Sequence, residues 1–204
     1  MKISPNGTYL AVTRRADAHE NLTVLKLPDL SLAGSTWFGD LMDIELFEWA
    51  SDSRMIVQPT RRFPGFTAAK VPTGEIIGID ADMKRPELLF GYAAGQKQTG
   101  TRLRVRQSMD MPARLLATYP GDNKSVMIQT YGYGIKGAFN SAYRMDTRTG
   151  NLDRLASSPI RDGDFITDFK KNIALVVGED TEGRVISYYR TPEQSEWKIV
   201  SQQQ

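Results

Sequence analysis

Short runs of aliphatic, β-branched and aromatic residues alternate along this chain with clusters of Ser, Pro, Asn, Asp and Gly. No long stretch keeps a 3.6-residue apolar period, so the pattern predicts strands rather than helices. Four runs stand out: Tyr9 to Thr13, Arg54 to Gln58, Ser125 to Gln129 and Ile173 to Val177. Each follows a turn-rich stretch, respectively Ser4-Pro5-Asn6-Gly7, Ser51-Asp52-Ser53, Pro120-Gly121-Asp122-Asn123 and Lys170-Lys171-Asn172. Proline presets φ for a turn and Asn or Gly tolerates positive φ, so the four places read as one recurring hairpin.

The flanks recur too. A third strand is expected at Asn21 to Leu27, Glu75 to Asp80, Ala142 to Asp146 and Val185 to Arg190. After a turn at Pro28-Asp29, Ala81-Asp82, Thr149-Gly150 or Pro192-Glu193, a fourth is expected at Leu32 to Trp37, Glu87 to Tyr92, Leu152 to Ser157 and Trp197 to Ser201. An opening strand precedes three of the hairpins, at Ile44 to Trp49, Arg114 to Tyr119 and Phe165 to Phe169, and the first unit shows no room for one before Ser4. The unit is a four-stranded meander whose second strands start at 9, 54, 125 and 173, spacings of 45, 71 and 48. Two spacings match the roughly 40–50-residue period of a propeller blade, and the long one contains a Gly/Gln-rich insertion, 93–112. The expected fold is all-β, a partial β-propeller of about four blades at 4–38, 43–92, 113–158 and 163–202, the first lacking its opening strand. A sandwich or irregular meander is the alternative. Rings close to protect their sheet edges, so four blades read as part of a longer ring.

Composition narrows the function. With 26 Lys+Arg against 24 Asp+Glu the net charge is +2, which argues against a dedicated nucleic-acid binder. Mean hydropathy is −0.39, and no apolar run approaches the ~20 residues of a membrane helix. There is no cysteine, which removes disulfides, thiolate metal sites and a cysteine nucleophile. A single histidine, His19, removes a multi-histidine metal site within one chain, and no metal or cofactor is expected. Met1 to Pro5 lacks the apolar stretch of a signal peptide, which leaves the compartment open.

Several motifs invite chemistry and find a structural explanation first. His19, in Asp17-Ala18-His19-Glu20-Asn21, sits in an expected polar loop with no nucleophile motif to serve. Glu179 to Gly183 lacks the spacing of a calcium loop and reads as a hairpin turn, as does Asp162-Gly163-Asp164. Gly132, Gly134 and Gly137 have no following helix and no Gly-Lys-Ser/Thr end, so they read as a strand connection. Trp37, Trp49 and Trp197 are expected to pack between blades.

One ordered set of motifs is more specific. It runs from Ile3-Ser4-Pro5-Asn6-Gly7-Thr8-Tyr9-Leu10-Ala11-Val12 through Phe47-Glu48-Trp49-Ala50-Ser51-Asp52-Ser53-Arg54 and Pro72-Thr73-Gly74-Glu75-Ile76-Ile77-Gly78-Ile79-Asp80 to Leu88-Leu89-Phe90-Gly91-Tyr92. It continues with Tyr143-Arg144-Met145-Asp146-Thr147-Arg148-Thr149-Gly150 and Tyr188-Tyr189-Arg190. The order resembles the N-terminal propeller of bacterial prolyl oligopeptidase-family serine peptidases, the dipeptidyl and acylaminoacyl peptidases, across Ile3 to Val200. Asn6 stands where that signature has Asp. The resemblance implies a partner α/β-hydrolase domain with a Ser-Asp-His triad, its serine in Gly-x-Ser-x-Gly. This chain contains no Gly-x-Ser-x-Gly and reaches Gln204 before any βα alternation. No catalytic residue is therefore carried over, the hydrolase domain is expected to lie outside this chain, and the propeller is expected to gate short peptides. Parents of this kind are often periplasmic or secreted.

Within that frame, Arg61 and Arg62, expected after the second strand of blade two and before Phe63-Pro64-Gly65-Phe66, are candidates to face substrate. Arg102, Arg104 and Arg106 alternate with Leu103 and Val105, which places three guanidiniums on one face of an extended segment, suited to a peptide carboxylate. The rival readings are a non-enzymatic binding propeller of the periplasmic Tol type or a scaffold, and a lyase or glycosidase with its site in the central channel. Neither nucleic acid nor membrane is an expected partner. Self-association is, through Leu10 and Val12 in the first blade and Leu175 and Val177 in the last.

Overall fold

The computed structural model describes residues 1–16, 19–63, 70–92, 111–119, 121–132 and 138–203. They form four antiparallel sheets, each a meander in chain order. Blade one contains β1 (Lys2–Ile3), β2 (Tyr9–Ala16), β3 (His19–Lys26) and β4 (Ser31–Thr36). Blade two contains β5 (Met42–Trp49), β6 (Arg54–Arg62), β7 (Lys70–Pro72), β8 (Ile76–Asp80) and β9 (Glu87–Phe90). Blade three contains β10 (Ala113–Thr118), β11 (Ser125–Thr130), β12 (Ser141–Asp146) and β13 (Leu152–Ser157). Blade four contains β14 (Asp164–Thr167), β15 (Ile173–Glu179), β16 (Val185–Tyr189) and β17 (Lys198–Gln203).

The recurring hairpin forms for the reason its residues suggest. In blade one, Gly7 takes φ +73° and its N–H donates to the Ser4 carbonyl at 2.9 Å. Asn6 Oδ1 accepts from the Ser4 hydroxyl at 2.9 Å and the Thr8 N–H at 3.0 Å, the role an aspartate would fill. Ser51 Oγ accepts from the Arg54 N–H, Asp122 from Lys124 and Ser125, and Asp168 from Asn172. In each blade a short polar side chain thus supplies the acceptor that starts the second strand.

Two elements differ from the sequence reading. Blade one does have an opening strand: Lys2 and Ile3 pair with Ala11 and Leu10. Two residues suffice because the hairpin itself closes the ladder, Ser4 N–H donating to the Tyr9 carbonyl at 2.8 Å. Blade two has an extra strand. β8 pairs only with Arg54 to Val57, and the far end of β6, Thr60 to Arg62, pairs with β7 instead. Arg61 and Arg62 are therefore the last residues of β6, not residues of a following loop. His19 likewise opens β3, opposite Ala16, rather than lying in a loop.

The core consists of apolar layers between consecutive sheets. Ala11, Leu22 and Val24 of blade one meet Phe47, Trp49, Met55 and Val57 of blade two. Ile56, Ile76, Leu89 and Phe90 meet Val126, Ile128, Tyr143 and Met145 of blade three. Met127, Ala142 and Ala156 meet Phe165, Val176 and Ile186 of blade four. Central strands are accordingly buried on both faces: Met55, Ile56 and Val57 are all 0% exposed. In β2 and β15 only one face is covered, so Ala11 and Val176 are buried while Leu10, Val12, Leu175 and Val177 are partly exposed. Trp49 packs between blades one and two, stacked on Tyr9 with ring centroids 6.1 Å apart, and its Nε1 donates to the Lys2 carbonyl at 3.1 Å. Trp197 lies 6.3 Å from Phe165 and donates to the Ser157 carbonyl of blade three. Trp37, just past the end of β4, is half exposed.

Candidate functional site

The meander topology sends all second-to-third-strand turns and all blade-to-blade connections to one end of the stack, here called the upper end. There the last residues of each second strand meet the first residues of each opening strand. Two polar clusters occupy this end.

The first belongs to blade two. Asp43, near the start of β5, is 2% exposed. Its Oδ2 lies 3.3 Å from Arg62 Nε and 3.2 Å from Lys70 Nζ. Both are Coulombic contacts, since neither Oδ2 nor Nε finds a hydrogen-bonding geometry. Arg62 Nη2 donates to the Asp40 carbonyl at 2.7 Å. Arg62 is thereby tied to its own blade. Arg61 points the other way: it shares its register with Met42 and Val71, is exposed, and makes no ion pair among the described residues. Its charge reaches Glu75, whose carboxyl burial pushes above the ordinary value of 4.5 and Arg61 pulls partly back. Gly39 to Met42, Arg61, Arg62 and Phe63 line an open cavity of about 500 Å³.

The second cluster joins blades three and four. Gln129, on β11, is fully buried and spans the gap with both ends of its amide. Its Nε2 donates to Asp164 Oδ1 at 2.8 Å and its Oε1 accepts from the Phe165 N–H at 2.9 Å. Arg114 of β10 lies 3.2 Å from the same Asp164 oxygen, and the Tyr131 hydroxyl donates to it at 3.4 Å. The Arg114 guanidinium sits 5.6 Å from the Tyr131 ring centroid. Burial, joined by Asp164 and opposed by Arg114, raises the Tyr131 phenol well above its usual value, so it remains a donor at neutral pH.

Gln58 repeats the Gln129 device one blade earlier. Its Nε2 donates to the Ala113 carbonyl at 3.2 Å and its Oε1 accepts from the Leu115 N–H at 2.8 Å. Both glutamines are the fifth residue of the second-strand run, a coincidence visible in Arg54 to Gln58 and Ser125 to Gln129 but not singled out from sequence. Asp164, read there as a turn residue, is the hub of the second cluster.

The sequence-derived candidates divide accordingly. Arg61 and Arg62 stand together at the upper end, one free to meet a ligand and one committed to Asp43. Arg102, Arg104 and Arg106 lie outside the described residues, as do Gly134 and Gly137. Of the Glu179 to Gly183 segment, Glu179 ends β15 and the rest is the hairpin turn, Asp180 accepting the Glu182 and Arg184 N–H groups. Among the described residues no group of three or more His, Cys, Asp or Glu side chains is arranged to hold a metal ion. What the upper end offers chemically is recognition: the Arg61 guanidinium for a carboxylate, with an apolar cavity beside it.

No family model matches the chain, and no curated protein sequence does. Its fold is similar to that of TolB from Acinetobacter baumannii, with a TM-score of 0.50 and 15% identity over 97% of this chain and 41% of TolB. An oligogalacturonate lyase in complex with manganese is also similar, with a TM-score of 0.38 and 14% identity over 98% of this chain and 63% of the lyase. The chain thus spans less than two thirds of either protein. The likeness to TolB, with the four meander sheets, makes this a β-propeller chain of about four blades.

Proposed function

We propose that this chain is the non-catalytic propeller portion of a serine peptidase of the prolyl oligopeptidase family, gating the access of short peptides to a hydrolase domain. The observation that carries the reading is the ordered set of blade motifs from Ile3 to Arg190. The upper end supports it with the chemistry a short peptide needs. Arg61 suits a carboxylate, and the neighbouring Leu41, Met42 and Phe63 suit an apolar side chain. A propeller of stacked sheets works as a size filter: an extended peptide passes and a folded protein does not.

A second reading is a non-enzymatic binding propeller of the TolB kind, favoured by the structural similarity to TolB. The two part on what the parent gene encodes. Under the first, the reading frame beyond Gln204 continues into Gly-x-Ser-x-Gly within a few hundred codons, and a fluorophosphonate probe labels the full-length product but not residues 1–204. A frame that holds further blades and no such motif, with no labelling of the product, overturns the peptidase reading in favour of the second.

A further inference from the structure

We infer that the cavity beside Arg61 holds the C-terminus of a short peptide, its free carboxylate on the Arg61 guanidinium and a large apolar last side chain against Leu41, Met42 and Phe63. This role rests on the peptide-gating reading and fixes which end of the peptide is held and which last residue is accepted.

The site stands on an extension of blade two. Among the described residues only this sheet has a fifth strand, β7, which pairs with the last three residues of β6. The ladder they form continues past β8, which reaches no further along β6 than Val57. Side chains alternate across it. Arg62 and Lys70 pair with each other on the face that carries Asp43, since Asp43 pairs with Thr60, two residues before Arg62. Arg61, one residue along, stands on the opposite face with its partners Met42 and Val71.

That alternation sorts the cations. Asp43 is buried, and its Oδ2 faces Arg62 Nε at 3.3 Å and Lys70 Nζ at 3.2 Å, so one carboxylate holds two cations on one face. Arg61 is left exposed at the cavity with no ion pair among the described residues. Such a guanidinium offers two parallel N–H donors to a carboxylate.

The surroundings select which carboxylate. Leu41 and Phe63 are 45% and 46% exposed, and with Met42 they line the cavity. Large apolar side chains gathered beside one cation suit an anion carried on an apolar group. The volume, about 500 Å³, lies within the roughly 300–1,000 Å³ of small-ligand sites. Asp40, exposed on the same wall, sets a carboxylate against any second negative charge. A phosphate or an acidic last residue is therefore disfavoured. In a peptide, one residue carries both a single carboxylate and a large apolar side chain only at the C-terminus.

Isothermal titration calorimetry of the 204-residue chain with acetyl-Gly-Ser-Gly-Ala-Leu tests this. The free acid is expected to bind. Its C-terminal amide, and the peptides ending in Asp or Gly instead of Leu, are expected to bind about tenfold or more weakly. So is 4-methylpentanoate, which has the carboxylate and the aliphatic group without the peptide. Arg61→Gln is expected to lose tenfold or more for the free acid, whereas Lys124→Gln, at the lower end, binds as wild type does. Arg61 is exposed, so its variant is expected to fold, and the comparison of acid with amide needs no variant. Absence of binding at millimolar peptide overturns the proposal. So does a difference of less than tenfold between acid and amide, binding by Arg61→Gln equal to wild type, or 4-methylpentanoate binding as well as the peptide. The titration needs no hydrolase domain, so its failure is distinct from a reading frame that lacks Gly-x-Ser-x-Gly.

Discussion

Arg54 carries a full charge at a position only 2% exposed. Its Nη1 and Nη2 meet Asp80 and Glu87 at 3.2 and 2.8 Å, and its Nε donates to the Thr147 carbonyl of blade three at 2.8 Å. One side chain therefore ties two strands of its own sheet and a turn of the next. Arg54→Met keeps the stem but drops all three contacts. It is expected to destabilise the fold by about 2–3 kcal/mol, below the usual cost of breaking a buried pair because both carboxylates reach solvent. Urea unfolding gives the value. Glu75 behaves oppositely. Its folded pKa lies above 4.5, so its contribution to stability is fully present below pH 4.5 and is lost as pH rises through the folded value. Glu75→Gln should therefore be more stable than wild type at pH 7, the difference closing as pH falls to 4. Thermal unfolding at both pH values reads it, and a difference independent of pH would contradict the burial argument.

At the scale of elements, the glycines that end strands serve different purposes. Gly7 and Gly150 both adopt positive φ, +73° and +68°. A Cβ at Gly7 would meet nothing within 4 Å, whereas one at Gly150 would lie 2.8 Å from the Leu89 carbonyl oxygen of blade two. Gly7→Ala should cost about 1 kcal/mol, the left-handed penalty alone. Gly150→Ala should cost about 2–4 kcal/mol, because the clash adds to it. Equal losses in parallel denaturation curves would mean that the blade-two contact carries no energy. The same elements show what was legible in the sequence. Second strands stood out because a turn motif precedes each β-rich run. β1 was missed because two residues leave no alternation to see, and β7 because Lys70–Pro72 pairs only with an overhang of β6. Arg61 and Arg62 were found as cations beside aromatics. Gln58, Gln129 and Asp164 were not, because a bridging amide has meaning only once the next blade's backbone is in place. The likeness among Tyr9 to Thr13, Arg54 to Gln58, Ser125 to Gln129 and Ile173 to Val177 likewise hides which runs are covered on both faces.

At the scale of the molecule, stability belongs to the layers between sheets rather than to the sheets. Blade one is held by a single layer, and one tight point in it is Gly34, where a Cβ would fall 2.3 Å from the Asp82 carbonyl oxygen. Gly34→Ala should push blade one away from blade two while leaving the other two layers intact. Amide hydrogen exchange is expected to show β2 and β3 losing protection about tenfold or more while β11 and β12 keep theirs. Uniform loss across all four blades would show that the stack opens as one unit.

The two glutamine bridges also set an order of assembly. Gln58 reaches the backbone of Ala113 and Leu115, and Gln129 reaches Asp164 and Phe165. Each donor thus waits, solvated, until the opening strand some 35 to 57 residues downstream has been synthesised. Every bridge points from an earlier blade to a later one. A chain leaving the ribosome meets these partners in the order in which it needs them, each new opening strand locking the sheet made before it. The two bridges are thus expected to form in N- to C-terminal order during synthesis, the earlier blade's amide first.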